Sequence, residues 1–296
     1  MRSRLPRLRH RRAVRLLPVV YRHLSVSERD TFLVSYPKSG NTWLKFMLTH
    51  LLTGLEADFD HDSAVIAEVG DHRGAPGVLP GGGRLIKSHE PYAGPTKRVY
   101  RKAIYLIRDG RDVAVSYYYT LIRRGLYEGE FGPFLRLFLG GAVDGYRPWH
   151  EHVESWLDSP LRQGGSLLVV KYEDLLKEPV ESLSAAMTFL GKPVARERAE
   201  ETVGTYSVEG MRQREQGSRF QERQKRRDIM FVRRAESGDW VRTFTPDDEE
   251  LFSRVTGDLL QRLGYGPRPA EHGLSASTQS RPEHLQRQGA SQPREG

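Results

Sequence analysis

TFLVSYPKSGNTWLKFMLT, residues 31–49, reads as a buried strand, a tight polar turn and the opening of a helix. TFLVSY is a short β-branched and aromatic run that stops at Pro37, and from Leu44 onward LKFMLTHLL carries apolar residues at helical spacing. The small polar residues Lys38, Ser39, Gly40, Asn41 and Thr42 therefore sit at a strand-to-helix junction. A helix start there presents unpaired backbone N–H groups to a negative ligand. A nucleoside triphosphatase would place GxxxxGK[ST] at this point, with the lysine after the second glycine and a hydroxyl beside it for magnesium. Here Lys38 precedes Gly40 and the first glycine is missing, so the loop is shorter and its lysine meets the anion from the strand side.

The order P-K-S-G-x-T-W resembles the 5′-phosphosulfate loop of sulfotransferases whose donor is 3′-phosphoadenosine 5′-phosphosulfate (PAPS). A second strand-turn-helix, AIYLIRDGRDVAVSYYY at 103–119, resembles the 3′-phosphate site of the same family, which implies that Arg108 and Ser116 bind that phosphate. A guanidinium grips a phosphate bidentately, and a serine in the first helical turns adds a neutral donor. Arg111, Asp109 and Asp112 are expected as helix-terminal charges, with Asp109 as the cap. A third segment, FVRRAESGDWVRTFT at 231–245, resembles the family's R-K-G-x-x-G-D-W-K. It implies that Arg233 and Arg234 reach the 3′-phosphate and that Gly238, Asp239 and Trp240 form the turn into a closing helix. Ala235 stands where the family has glycine, so an alanine-compatible dihedral is expected there for its amide to reach the donor. Val241 replaces a lysine, with Arg242 as its substitute.

RLIKSHEPY, residues 84–92, is a further short strand, and Lys87-Ser88-His89 resembles the K-T-H of cytosolic sulfotransferases. An acceptor hydroxyl must lose its proton as it attacks sulfur, and histidine is the side chain best matched to that task near neutral pH. His89 is thus the expected general base, with Glu90 the alternative carboxylate. Lys38 is expected to meet the charge that develops on the leaving phosphate, and Lys87 to hold the sulfuryl oxygens. Thr42 and the amides of Ser39 to Trp43 hold the 5′-phosphate in this reading, and Trp43 packs on the adenine. Tyr172, read as part of a strand VVKYEDL, matches a family tyrosine at the adenine edge; a tyrosine buried in the core is the competing reading. No HxxH, HExxH or paired-carboxylate spacing is present, and no metal is expected.

The 296-residue chain contains no cysteine, which excludes disulfides, thiol catalysis and zinc-thiolate sites. No run of 18 apolar residues occurs, and a cytoplasmic enzyme is expected. The formal charge is +8, and eight arginines fall within the first 22 residues. That run is read as a flexible basic arm, residues 1–30, able to make peripheral contact with an anionic membrane; nucleic acid is not an expected partner. A second basic run, 212–227, precedes Arg233 where the resembling family has a mobile lid over the donor; a solvated charged loop is the other reading. The glycine- and proline-rich stretch 70–83 is expected either to border an acceptor pocket or to be an unstructured insertion. The tail 268–296 is polar, poor in aromatics and expected to be disordered.

The expected fold is α/β, P-loop NTPase-like, with a mostly parallel central sheet flanked by helices over residues 31–267. The resemblance implies transfer of the sulfuryl group of PAPS to a hydroxylated small molecule, lipid or sugar, less readily an amine, with adenosine 3′,5′-bisphosphate (PAP) as the other product. A nucleotide- or nucleic-acid-binding protein on the same fold is the alternative from another class. A nucleotide kinase is the second, disfavoured by the placement of Lys38.

Overall fold

The computed structural model describes residues 19–61, 64–94 and 96–267. The four strands are β1 (Thr31–Ser35), β2 (Leu85–Ser88), β3 (Ala103–Ile107) and β4 (Leu167–Lys171). The principal helices are α1 (Asn41–Thr53), α2 (Gly110–Arg123), α3 (Phe131–Leu139), α4 (Trp149–Leu157), α5 (Pro179–Phe189), α6 (Arg196–Thr205), α7 (Val208–Gln216) and α8 (Pro246–Thr256). All strands are parallel in the order β2-β1-β3-β4, with Phe32 opposite Ile86 on one side and Ala103 on the other.

Every residue of β1 and β3 is buried, as a parallel sheet covered on both faces requires. Alternation splits each strand between two cores. Phe32, Val34, Tyr105 and Ile107 pack with the aromatic residues of α2, α3 and α4, whereas Leu33, Ile104 and Leu106 pack with α1 and α5. The aromatic stretch after Tyr117 is largely core: Tyr117, Phe134, Phe138, Trp149 and Trp156 are all buried.

The strand order turns back at β1, whose neighbours are β2 and β3. The loops leaving β1 and β3 therefore diverge and open a crevice at the carboxyl ends of the strands, the general ligand position of such sheets. Each strand delivers one expected site residue there: Lys38 after β1, His89 after β2, Arg108 after β3 and Tyr172 after β4.

Four expectations are corrected. Tyr172 does not extend a strand; β4 ends at Lys171 and Tyr172 opens the short helix Tyr172–Lys177. The stretch 70–83 is structured: it holds two 3-10 turns, His72–Gly74 and Pro80–Gly82. Within the basic arm, residues 19–30 dock on the body. His23 Nε2 lies 2.9 Å from the hydroxyl of Tyr100, the carboxylate of Asp30 pairs with Arg84 at 2.6 Å, and Arg22 forms a buried ion pair with Glu90. The basic run 212–227 is held down through α7 and the turn Arg219–Glu222. Arg212 donates to the carbonyls of Val232 and Arg233, and Phe220 stacks on Phe59. The arginine-rich residues 1–18 and the tail 268–296 lie outside the described residues.

Candidate functional site

The turn after β1 is built by backbone conformations that few residues tolerate. Gly40 caps α1 at φ +93°, and Lys38 also lies in the left-handed region at φ +76°. This wraps the chain so that the first residues of α1, Asn41, Thr42 and Trp43, line the crevice, whose volume is about 910 Å³. The hydroxyl of Ser39 and the side-chain carbonyl of Asn41 are buried with no protein partner, as is Nε of Arg108. Of the three, Nε of Arg108 is a donor on a residue of the crevice wall and suits an anionic ligand.

Lys38, Gly40, Asn41, Thr42, Trp43, Lys87, His89, Arg108, Ser116, Tyr172, Arg233, Arg234 and Ala235 all line that crevice. Ser39 is the one expected site residue not on its wall; its side chain is buried behind the loop.

His89 is oriented from the end of β1. Its Nδ1 lies 2.7 Å from the backbone oxygen of Ser35. A carbonyl only accepts, so Nδ1 carries the proton and Nε2 carries the lone pair. Ser35 Oγ lies 3.4 Å from the same nitrogen and accepts from the Asn41 amide at 3.0 Å. Ser35 thus links the base to the anion loop, a role the sequence reading missed. Glu90 is corrected as the alternative base: its carboxylate is buried, paired with Arg22, and absent from the crevice wall.

The cations differ in their settings. Lys38 Nζ sits 4.1 Å above the ring of Phe231, and burial pushes its pKa well below the ordinary lysine value, aided by the charges of Arg123, Arg124 and Arg108. Lys87 Nζ lies 3.7 Å from the carboxylate of Glu68, which pairs beside it through an isolated parallel bridge. No short-range signal in the sequence marks Glu68. Arg108 stacks on Tyr172 with 4.2 Å from its Cζ to the ring, and donates to the Glu236 carbonyl at 3.0 Å.

Arg233 and Arg234 converge on one buried carboxylate. Asp239 pairs with Arg233 and lies 3.3 Å from Arg234. Arg242 joins it at 3.4 Å but is also bound to Glu236 at 2.8 Å and is absent from the crevice wall, so it does not replace the lysine at the position of Val241. Asp109 caps α2 as expected. Asp112 lies in the first turn of α2 as expected; it is buried and accepts from the amides of Gly238 at 2.8 Å and Trp240 at 2.9 Å. It thereby ties the 233–240 segment to the helix that carries Ser116. Ala235 is corrected as well, because it occupies the left-handed region at φ +55° instead of an ordinary alanine dihedral.

Trp43 is held on the crevice wall: its indole donates to the Tyr206 carbonyl at 2.7 Å and its ring meets Tyr172 edge-on. Tyr172 is buried, as its reading as a core tyrosine expects, and it also lines the crevice. Tyr206 is buried behind the loop, its hydroxyl accepting from the Ala57 amide at 2.8 Å, while Val208 reaches the wall.

A comparison with protein families matches the sulfotransferase domain over residues 81–264, more than half of the chain. Among curated proteins the chain is 29% identical to mouse sulfotransferase 2A6, over 84% of this chain and 89% of that one. It is 28% identical to the guinea pig 3-alpha-hydroxysteroid sulfotransferase, over 82% and 87%. Among solved structures it is similar to mouse sulfotransferase SULT7A1 complexed with PAP, with TM-score 0.61 and 26% identity over 79% of this chain and 86% of that one. It also shares the fold of retinol dehydratase in complex with androsterone and PAP, with TM-score 0.64 and 20% identity over 81% and 83%.

Proposed function

The chain belongs to the sulfotransferase family, and on that premise we propose that its crevice takes PAPS and passes the sulfuryl group to the hydroxyl of a small acceptor, with His89 as general base. The observation that carries the assignment is the 2.7 Å contact from His89 Nδ1 to the Ser35 carbonyl, which leaves the lone pair on Nε2 of a residue lining the same crevice as Lys38 and Arg108. The family match begins after the 37–43 loop, so the part given to that loop rests on its geometry.

The residues suit a multiply charged anion. Thr42 and the amides of Ser39 to Trp43 receive the 5′-phosphate. Arg108, Ser116, Arg233, Arg234 and the Ala235 amide receive the 3′-phosphate. Tyr172 borders the adenine, and Trp43, on the same wall, packs against it. PAPS, when bound, supplies an activated sulfuryl group on a phosphate leaving group. Lys38 stabilises negative charge on that side, Lys87 holds the equatorial oxygens, and His89 Nε2 accepts the acceptor's proton.

The acceptor is a hydroxylated small molecule, lipid or sugar, with an amine less favoured. Androsterone, retinol and 3-alpha-hydroxysteroids figure in the names of the similar proteins. The wall near His89 carries Arg22, Glu68, Asp71 and Lys87, charges that favour an acceptor with polar groups besides its hydroxyl. Among the described residues no helix is long and apolar enough to cross a membrane. We place the enzyme in the cytoplasm, as for the family members whose K-T-H its Lys87-Ser88-His89 resembles. Peripheral contact with anionic lipid is supported by the exposed Val20, Tyr21 and Leu24, which follow the arginine-rich start of the chain.

The test is incubation of the full chain with sulfur-labelled PAPS and androsterone, retinol, 4-nitrophenol and glucosamine, alongside His89→Ala and Lys38→Ala. Labelled product from the wild type, lost in both variants while His89→Ala still binds PAP, is the expected result. Absence of PAP binding by the wild type would overturn the donor assignment. Turnover of ATP with magnesium would favour the kinase reading instead.

A further inference from the structure

Behind His89 the chain runs across α4, and two side chains of that helix seize consecutive carbonyl groups. His152 Nε2 lies 3.1 Å from the backbone oxygen of His89, and Trp156 Nε1 donates to that of Glu90 at 3.0 Å. The two residues are four apart and so lie one above the other on one helical face. Both are fully buried. The hydroxyl of Tyr105, in the middle of β3, lies 3.0 Å from His152 Nδ1. The His89 carbonyl only accepts, so Nε2 of His152 carries a proton; its Nδ1 then accepts from Tyr105. Tyr105 stacks on Trp156 at 5.5 Å between centroids, and Tyr36 meets the His152 ring edge-on. The arrangement is rigid on every side.

We propose that His152 and Trp156 form a clamp on the His89–Glu90 backbone, with His152 a positioning residue that, together with the Ser35 carbonyl, fixes the direction of the His89 ring. Two anchors are needed because His89 lies just past the last residue of β2, where the ladder of strand hydrogen bonds no longer holds the chain. A hydrogen bond to the Ser35 carbonyl holds the ring from the side of β1, and the hydrogen bonds from α4 hold the backbone from below. Burial lowers the pKa of His152 to about 3, so its donor and acceptor pattern is constant through the working pH range. The proposal rests on His89 as the general base.

The experiment compares His152→Phe, His152→Gln, Trp156→Phe and His89→Ala with the wild type and with Leu183→Ala, a buried substitution on the opposite face of the sheet. PAP affinity and turnover of the best acceptor from the panel above are measured, and the His89 tautomer is read from long-range proton-nitrogen spectra. In His152→Phe we expect kcat to fall by about tenfold to a hundredfold, the range that misplacing a reacting group by about 1 Å produces. PAP affinity stays within about twofold, and the single Nδ1–H tautomer of His89 gives way to a mixture, on the premise that its Nδ1 hydrogen bond requires correct placement. Trp156→Phe shows the same pattern more weakly, and His152→Gln, whose amide restores a donor, recovers most of the rate. Leu183→Ala loses stability with no change in tautomer. Wild-type kcat and an unchanged His89 tautomer in His152→Phe, with His89→Ala inactive, would overturn the clamp alone. Full turnover by His89→Ala would overturn the base assignment and the clamp with it. If His152→Phe does not fold, Trp156→Phe and His152→Gln decide by the same readouts.

Discussion

Tyr172 lies so close over Gly40 that a Cβ built on the glycine would sit 2.5 Å from the ring's Cδ2. The two residues come from the ends of β1 and β4, two places apart in the sheet, and Arg108 from the intervening β3 lies 4.2 Å from the centre of the same ring. The loop at Gly40, Tyr172 and Arg108 thus meet at one ring, and the absence of a side chain at position 40 lets the ring approach the loop.

Gly40→Ala tests that approach. The left-handed dihedral alone costs an alanine about 1 kcal/mol, and displacing the Tyr172 ring adds an overpacking cost of about 1–3 kcal/mol. PAP affinity is expected to weaken at least about tenfold, since 1.4 kcal/mol corresponds to that factor. Calorimetric titration with PAP checks it; unchanged affinity would mean that the ring yields without moving the loop.

Asp112→Asn removes one of the two acceptor oxygens that hold the amides of Gly238 and Trp240. Leaving a buried amide unsatisfied costs about 1–3 kcal/mol. The 233–240 segment carries Arg233 and Arg234, so PAP affinity should fall while the acceptor KM holds. The two constants, measured side by side, distinguish this from general unfolding.

Lys38 gives a pH dependence of fixed sign. Burial and the neighbouring arginines lower its pKa, and a bound anion raises it again. PAP binding therefore takes up a proton at pH values between the free and bound pKa, and affinity falls as pH rises through that window. Titrations in buffers of different ionisation enthalpy report the uptake. It should vanish in Lys38→Met; proton release on binding would contradict the assignment.

Ala235→Gly should stabilise the protein. Relief of the left-handed strain at φ +55° is worth about 1 kcal/mol, partly offset by the greater backbone freedom of glycine in the unfolded chain. A net gain of about 0.5 kcal/mol corresponds to a rise of about 1–2 °C in Tm for a chain of this size. A fall in Tm would show that the alanine methyl makes contacts that outweigh its dihedral.

The features legible in the sequence were those made within one βα unit. PKSGNTW, IRDGRDVAVS and KSH each lie at the carboxyl end of a strand, and the crevice gathers them because parallel strands all deliver their carboxyl ends to one edge. The features that escaped were pairings between units. Glu68 beside Lys87, Arg22 on Glu90, Asp112 under the 238–240 amides and His152 behind His89 join residues from about 20 to 130 positions apart, and no local pattern announces such a partner. The dihedral of Ala235 was misjudged for the same reason, since the surrounding fold overrides an alanine's own preference.

By itself the sequence determined the family, the α/β class and the identity of the anion-binding loop, because strand, turn and helix signals and the chemistry of small polar residues act over a few residues of chain. The tertiary structure alone decided that His89 and not Glu90 faces the crevice, and on which nitrogen its proton lies. Both follow from the order β2-β1-β3-β4, which sets Ser35 beside His89 and α4 beneath it, and strand order is fixed by packing between elements distant in the chain.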